Sequence, residues 1–255
     1  MRALLVAVLF SGAAGAEPVP VLVELFTSEG CSSCPAAEEA LAGLVRQQPV
    51  PGVEIVPLEL HVDYWNALGW ADPFSSPEAT ERQERYAESA SVQGYAAGLY
   101  TPQMVVDGTR SFVGNRALAL EAVERAAPQP KREVHVEPRP APGGLDVQVR
   151  VSPGDGPATV YVALTESGLS SQVTRGENRG RTLAHAPVVR TLEQAASVPA
   201  SGWTGQIRVV LARSWRREKL RLVAFVQDQG SRRVVGIGTA AVPPSGDVAP
   251  SASLH

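Results

Sequence analysis

The sequence predicts an α/β domain followed by a mainly antiparallel β-sandwich-like domain. Three observations predict it. Residues 19–127 alternate strand-like and helix-like periodicity. The stretch "PQPKR" at 128–132 interrupts that alternation as a short linker. Over residues 133–243 the helical period gives way to short runs of period two separated by Gly and Pro.

The elements follow in order. "VPVLVELFTS" (19–28) is apolar on both faces and reads as a buried strand, and "PAAEEALAGLVRQQ" (35–48) as a helix with Ala37, Leu41, Leu44 and Val45 on one face. "VEIVPLELHVDYW" (53–65) is a second strand with Val56, Leu58, Leu60 and Val62 at period two. Ser76 and Pro77 open a polar helix over 76–91 as N-cap and first helical residue. "TPQMVVDGTRSFVG" (101–114) is a hairpin turning at Asp107-Gly108. Asn115 caps a closing helix that carries Leu118, Ala122, Val123 and Ala126 and stops at Pro128.

Beyond the linker, "GLDVQVRVS" turns Leu145, Val147, Val149 and Val151 inward, and "ATVYVALTE", "GQIRVVLARS", "KLRLVAFVQD" and "RRVVGIGTAAV" repeat the pattern. Segment 167–205 is too long for a plain connection, and "TLAHAPVVRTL" within it is expected to be another strand. The tail, 244–255, is expected to be disordered.

At the other end, Arg2, the apolar run Ala3–Phe10 and the small residues Ser11–Ala16 predict a signal peptide over 1–16, cleaved before Glu17 at an A-x-A site. The apolar run is far short of the roughly 20 residues a spanning helix needs. The chain is therefore expected to be exported, periplasmic or secreted, without stable membrane insertion after cleavage. A net charge of −3 and the absence of a basic run argue against nucleic acid as a partner.

"TSEGCSSCPAAEEALAGL" (27–44) holds the chain's two cysteines, Cys31 and Cys34. As a covalent staple the pair would do little, because closing so short a loop gives about 2 kcal/mol against nearly 5 for a loop of about 100 residues. As a structural zinc site it lacks two ligands. Two thiolates with His61 would suit Cu(I). The redox reading has a positive argument: Cys31 sits between a strand end and a helix start, where unsatisfied N–H groups and the helix dipole favour thiolate. Cys31 is then the exposed attacking sulfur and Cys34 the resolving one.

The pattern Cys31-Ser-Ser-Cys34-Pro35 between strand and helix, Thr101-Pro102 at a strand start and the hairpin-plus-helix ending together resemble the thioredoxin fold over most of residues 19–127. That resemblance implies that Pro102 is cis and packs against the cysteine pair, and that the Thr101 backbone pairs with substrate peptide. "ELFTSEGCSSCP", "HVDYW", "YTPQMVVDG" and "GENRGRTL" further resemble the secreted bacterial family grouped as domain of unknown function 1223, which carries no assigned activity.

Glu24 stands in "VLVELF", a strand with no solvated face. Burial raises a carboxyl pKa, so Glu24 is expected to exchange protons with a thiol. Parallel pairing of the first two strands would bring "HVDYWNALGW" beside Cys31. His61 is then expected to tune a thiolate or a proton, and Tyr64, Trp65 and Trp70 to form an apolar wall for a peptide. His185 and the "GENRGR" loop are candidates to face the site, with no chemistry attached. The expected function is an exported thiol-disulfide oxidoreductase that acts on protein or small thiols and needs no cofactor beyond the Cys31–Cys34 pair. The alternatives are a Cu(I) carrier using Cys31, Cys34 and His61, or a partner-binding module without turnover.

Overall fold

A computed structural model of the protein describes residues 17–94 and 98–244. The signal peptide expected at 1–16 and the tail from 245 lie outside the described residues. The first half runs β1 (Val19–Thr27), α1 (Cys34–Gln47), β2 (Val53–His61), α2 (Pro77–Ala87), β3 (Gln103–Val106), β4 (Arg110–Val113) and α3 (Arg116–Ala126). The second runs β5 (Val134–Ala141), β6 (Gly144–Val151), β7 (Ala158–Glu166), β8 (Ser170–Gln172), β9 (Thr182–Ala184), β10 (Val188–Val198), β11 (Trp203–Val210), β12 (Leu220–Asp228) and β13 (Val234–Ala241).

Local chemistry sets the helix ends. Pro35 lies in the first turn of α1, where a missing N–H is no loss, and Gln48 closes that helix in the left-handed region at φ 42°. The Ser76 hydroxyl accepts from the Ala79 N–H to start α2, and Asn115 Oδ1 accepts from the N–H groups of Ala117 and Leu118 to start α3. Asp107 and Gly108 both adopt positive φ, the geometry a tight β3–β4 turn demands.

The molecule is mixed α/β with a β-rich second half. A large sheet has the order β13-β12-β7-β10-β2-β1-β3-β4; β1 and β2 are parallel, as are β2 and β10, and the other pairs are antiparallel. A second sheet has the order β11-β6-β5, and β8 and β9 form a separate hairpin. The large sheet thus runs unbroken from the first half into the second, and residues 128–132 mark a change of element type rather than an end of the sheet.

Three apolar layers hold it together. Val21, Val23 and Leu25 of β1 pack under α1 and α3. Leu22 and Phe26, on the opposite face, meet Ala79 and Tyr86 of α2 together with Tyr161 and Phe225 of the second half. Leu145, Val147, Val149 and Val151 of β6 pack on Val160, Val162, Leu222 and Ala224 of the large sheet. No helix among the described residues is long and apolar enough to cross a membrane.

Three expectations need correction. Leu118 is 40% exposed and Ala119 takes its place in the stripe 119, 122, 123, 126, because the Asn115 cap fixes the phase of α3. β2 ends at His61 rather than 65: the Val62 N–H makes the last bond to β1, on the Thr27 carbonyl, and beyond it the Asp63 carboxylate takes the Thr80 hydroxyl of α2. β5, which no sequence pattern predicted, is a strand that holds Pro138 and Pro140 at an edge position. "TLAHAPVVRTL" divides at Pro187 into β9 and β10.

Candidate active site

Because β1 and β2 are parallel with Thr27 opposite His61, both strands deliver their following residues to one sheet edge, where α/β sheets place ligands. Cys31 and Cys34 lie there, joined as a disulfide, with Cys34 the first residue of α1 and Ser33 its N-cap. The Ser33 hydroxyl is 3.4 Å from Cys31 Sγ. Thr101–Pro102 is a cis peptide, and the Pro102 carbonyl accepts from the Gly114 N–H at 3.0 Å. A Cβ on Gly114 would come within 2.4 Å of the Ala37 Cβ and 3.4 Å of the Pro102 Cβ, so glycine here lets Pro102 close against the helix that carries Cys34.

The expected exposed sulfur is corrected: Cys31 is 1% exposed and Cys34 fully buried. The loop 173–181 between β8 and β9 clamps the segment. Asn178 Nδ2 donates to the carbonyls of Glu29 at 2.8 Å and Cys31 at 2.9 Å, and the Ser32 N–H donates to Glu177 Oε2 at 2.9 Å. Arg181 in turn donates to Asn178 Oδ1 at 2.7 Å, which fixes the amide's orientation. The "GENRGR" loop therefore does face the site.

Beside the disulfide lies a buried cluster of carboxylates and imidazoles. Glu29 precedes Cys31 by two residues, and Glu38 follows Cys34 by one helical turn on the buried face of α1. β2 contributes Glu59 and His61, the β2–α2 connection contributes Asp72, and the β9–β10 connection contributes His185. His61 Nδ1 is 2.7 Å from Asp72 Oδ2, and its Nε2 is 3.0 Å from Glu59 Oε1. His185 Nε2 is 3.0 Å from Glu29 Oε1; its Nδ1 is 3.1 Å from Glu59 Oε1 and 3.5 Å from Glu38 Oε2, off the line a hydrogen bond needs. The remaining acceptors are also engaged: Thr27 donates to Glu38, Ser171 and Trp70 to Glu29, and the Ala186 N–H to Glu59 Oε2.

Burial disfavours charge on His61, yet the Asp72 and Glu59 carboxylates push its pKa up to about 10. Burial acts the same way on His185, and Glu29, Glu38 and Glu59 push it up to about 12. Desolvation would raise Glu59 and Asp72, but the imidazoles against them hold both below the usual carboxylate range.

A family model described as "Protein of unknown function (DUF1223)" matches residues 22–227. The chain belongs to the DUF1223 family. No curated protein matches it. Among solved structures, protein AGR_C_4864 of Agrobacterium tumefaciens is 27% identical, with a TM-score of 0.62, covering 90% of this chain and 97% of its own. A domain of the outer membrane lipoprotein Omp28 of Porphyromonas gingivalis is 17% identical, with a TM-score of 0.31, covering 47% of this chain and 93% of its own.

In this DUF1223 chain Glu24 is not next to the sulfurs. It lies on the α2 face of β1, across the sheet from α1, where Arg82 donates to both its carboxylate oxygens and the Tyr86 hydroxyl donates to Oε2. The proton-exchange role expected for it is therefore corrected to a buried ion pair. Arg82 lies over the rings of Tyr86, Tyr161 and Phe225 at 5.1, 5.0 and 4.8 Å, so the pair also joins the two halves.

The aromatics divide. Trp70 donates to Glu29 Oε2 at 2.8 Å and its Cβ abuts Gly176 of the clamping loop, while Trp65 packs on Gly30. Tyr64 turns to α2, its hydroxyl donating to Gln83 Oε1 at 3.2 Å. Glu29, Glu38 and Asp72 were not expected at the site, and no chemistry was attached to Glu177 and Asn178 of the "GENRGR" loop. Glu38 had a signal, since it shares the buried stripe of α1 with Cys34, Ala37 and Leu41, where an acid must find partners. Asp72, in a connection without periodicity, had none.

Proposed function

We propose that this protein is an exported thiol-disulfide oxidoreductase with a thioredoxin-like first half, using Cys31 as nucleophile and Cys34 as resolving thiol. The observation that carries the reading is the disulfide at the start of α1, with the Ser33 hydroxyl against the Cys31 sulfur and Pro102 beside the same helix. Ser33 is placed to donate to a Cys31 thiolate, adding to the positive end of the α1 dipole.

In the reducing direction the Cys31 thiolate attacks a substrate disulfide, forming a mixed disulfide and expelling one substrate sulfur. Cys34 then attacks the Cys31 sulfur, its proton passing to the second departing substrate sulfur, and the Cys31–Cys34 bond closes. Two electrons have moved from the pair to the substrate; the reverse sequence oxidises a substrate dithiol. The pair itself is the redox group. Thr101 and Pro102 line the substrate's approach, with Trp65 and Trp70 as its aromatic edge. The clamping loop must lift for a protein substrate to reach Cys31. Export to an oxidising compartment suits such a pair.

Turnover with a model disulfide peptide and a dithiol reductant tests this. Wild type is expected to turn over, Cys31→Ser to be inactive, and Cys34→Ser to accumulate the mixed disulfide. Wild-type turnover by Cys31→Ser would remove the reading. So would normal partner binding and no turnover in any form, which is the behaviour of a docking module. A Cu(I) site would need both sulfurs as thiolates and a His61 nitrogen released from Asp72 or Glu59.

A further inference from the structure

We propose that Glu59, His61 and His185 bind a divalent transition-metal ion of the zinc and cobalt class, with Glu38 in reach as a fourth ligand. The ligand atoms of Glu59, His61 and His185 lie within 4.8 Å of one another. The decisive atom is His185 Nδ1. The residue is 7% exposed and its side chain is fully enclosed, yet Nδ1 makes no well-aligned hydrogen bond and has only the ionic contacts to Glu59 Oε1 at 3.1 Å and Glu38 Oε2 at 3.5 Å. A buried ring nitrogen held only by misaligned contacts is costly in a finished polar network.

The surrounding bonds fit the reading. Each imidazole turns one nitrogen outward to a carboxylate, His61 Nδ1 to Asp72 and His185 Nε2 to Glu29, and turns the other inward toward Glu59 Oε1. Metal-binding histidines are oriented in this way by outer carboxylates. The Ala186 N–H occupies Glu59 Oε2 and so presents Oε1 to both inward nitrogens. Those nitrogens are 3.0 and 3.1 Å from Oε1. Ligand bonds of about 2.0–2.1 Å set neighbouring donors about 3.0 Å apart in octahedral and about 3.4 Å apart in tetrahedral coordination; the two nitrogen-to-Oε1 distances already match, and the remaining separation, within 4.8 Å, closes when the two imidazoles draw together around an ion. Two imidazoles with one or two carboxylates select zinc-like ions over calcium or magnesium.

A cleft of about 190 Å³ runs along His61, whose side chain is closed off from it, and is lined by Phe74, Ser76, Glu78 and Arg190. The Phe74 ring stands edge-on to both imidazoles, at 5.5 Å from His61 and 5.1 Å from His185. An ion here would tie β2 to the β9–β10 connection, and through Glu38 to the disulfide's helix, without using either sulfur.

The test is metal binding by the full exported chain after treatment with a chelator, with Zn²⁺ or Co²⁺ alone as the probe. One equivalent per chain is expected. Glu59→Gln and His185→Gln should each weaken binding by at least about 100-fold, and Asp72→Asn by about 10- to 100-fold. The Cys31→Ser, Cys34→Ser double variant should bind as tightly as wild type, so failure of the redox reading leaves this result untouched. X-ray absorption on the zinc-loaded wild type, which needs no variant to fold, should show nitrogen and oxygen neighbours with imidazole scattering. Any of three results overturns the proposal: no saturable one-to-one binding, which leaves a purely ionic network; binding unchanged in both ligand variants; or a sulfur shell.

Discussion

At the scale of single residues, the Ser33 hydroxyl is the group that distinguishes the Cys31 sulfur from an ordinary buried one. A hydrogen bond to a charged group is worth about 1.5–3 kcal/mol, so Ser33→Ala should slow alkylation of reduced Cys31 at neutral pH about tenfold, read by mass spectrometry. Glu24 behaves in the opposite sense. Stranding one partner of a buried ion pair costs about 3–5 kcal/mol, so Glu24→Gln should lower stability in urea by that order and leave the Cys31 alkylation rate unchanged. The sequence was a fair guide to where the disulfide sits, because a Cys-x-x-Cys pair ahead of a helix constrains its own geometry. It was a poor guide to which acid goes where. Glu24 and Glu38 are both buried acids in apolar patterns, and only pairing across the sheet sends one to Arg82 and the other toward His185.

Among the elements, the 173–181 loop decides access to the disulfide. Asn178→Ala removes two hydrogen bonds to the cysteine segment and should speed reduction of the folded protein by a water-soluble phosphine several-fold to tenfold. Glu177 adds a pH dependence. The Ser32 hydroxyl and backbone N–H hold its carboxyl below the usual carboxylate range, and that depression belongs to the closed loop. Closure therefore gains from Glu177 above the carboxyl's ordinary value and loses that gain as pH falls through the depressed one. Acidification should accelerate phosphine reduction more in wild type than in Glu177→Gln; equal acceleration would show that the loop is held otherwise. α2 illustrates what periodicity conveys and what it hides. Its cap and length are legible from Ser76 and Pro77, but its buried stripe is Ala79, Arg82, Gln83 and Tyr86, mostly polar, so the pattern did not announce which face turns inward.

For the whole molecule, the sheet from β13 to β4 makes the two halves one structure. Tyr161 and Phe225 of the second half complete the core under α2, and His185 completes the cluster beside the disulfide. A fragment spanning 17–127 should accordingly lack a cooperative thermal transition, and Phe225→Ala in the full chain should cost about 3–5 kcal/mol. Element order and most strand positions were legible because local periodicity fixes them. The joining of the halves was not, since a β2–β10 pairing through Val188 and Glu59 depends on a contact 129 residues apart that no local pattern records. The account rests on the cysteine pair being a redox couple rather than a permanent crosslink. Equilibration of the folded protein against defined thiol-disulfide buffers measures that directly. A reversible two-electron midpoint between about −270 and −120 mV is the predicted result, and a pair that stays oxidised below about −300 mV would contradict it.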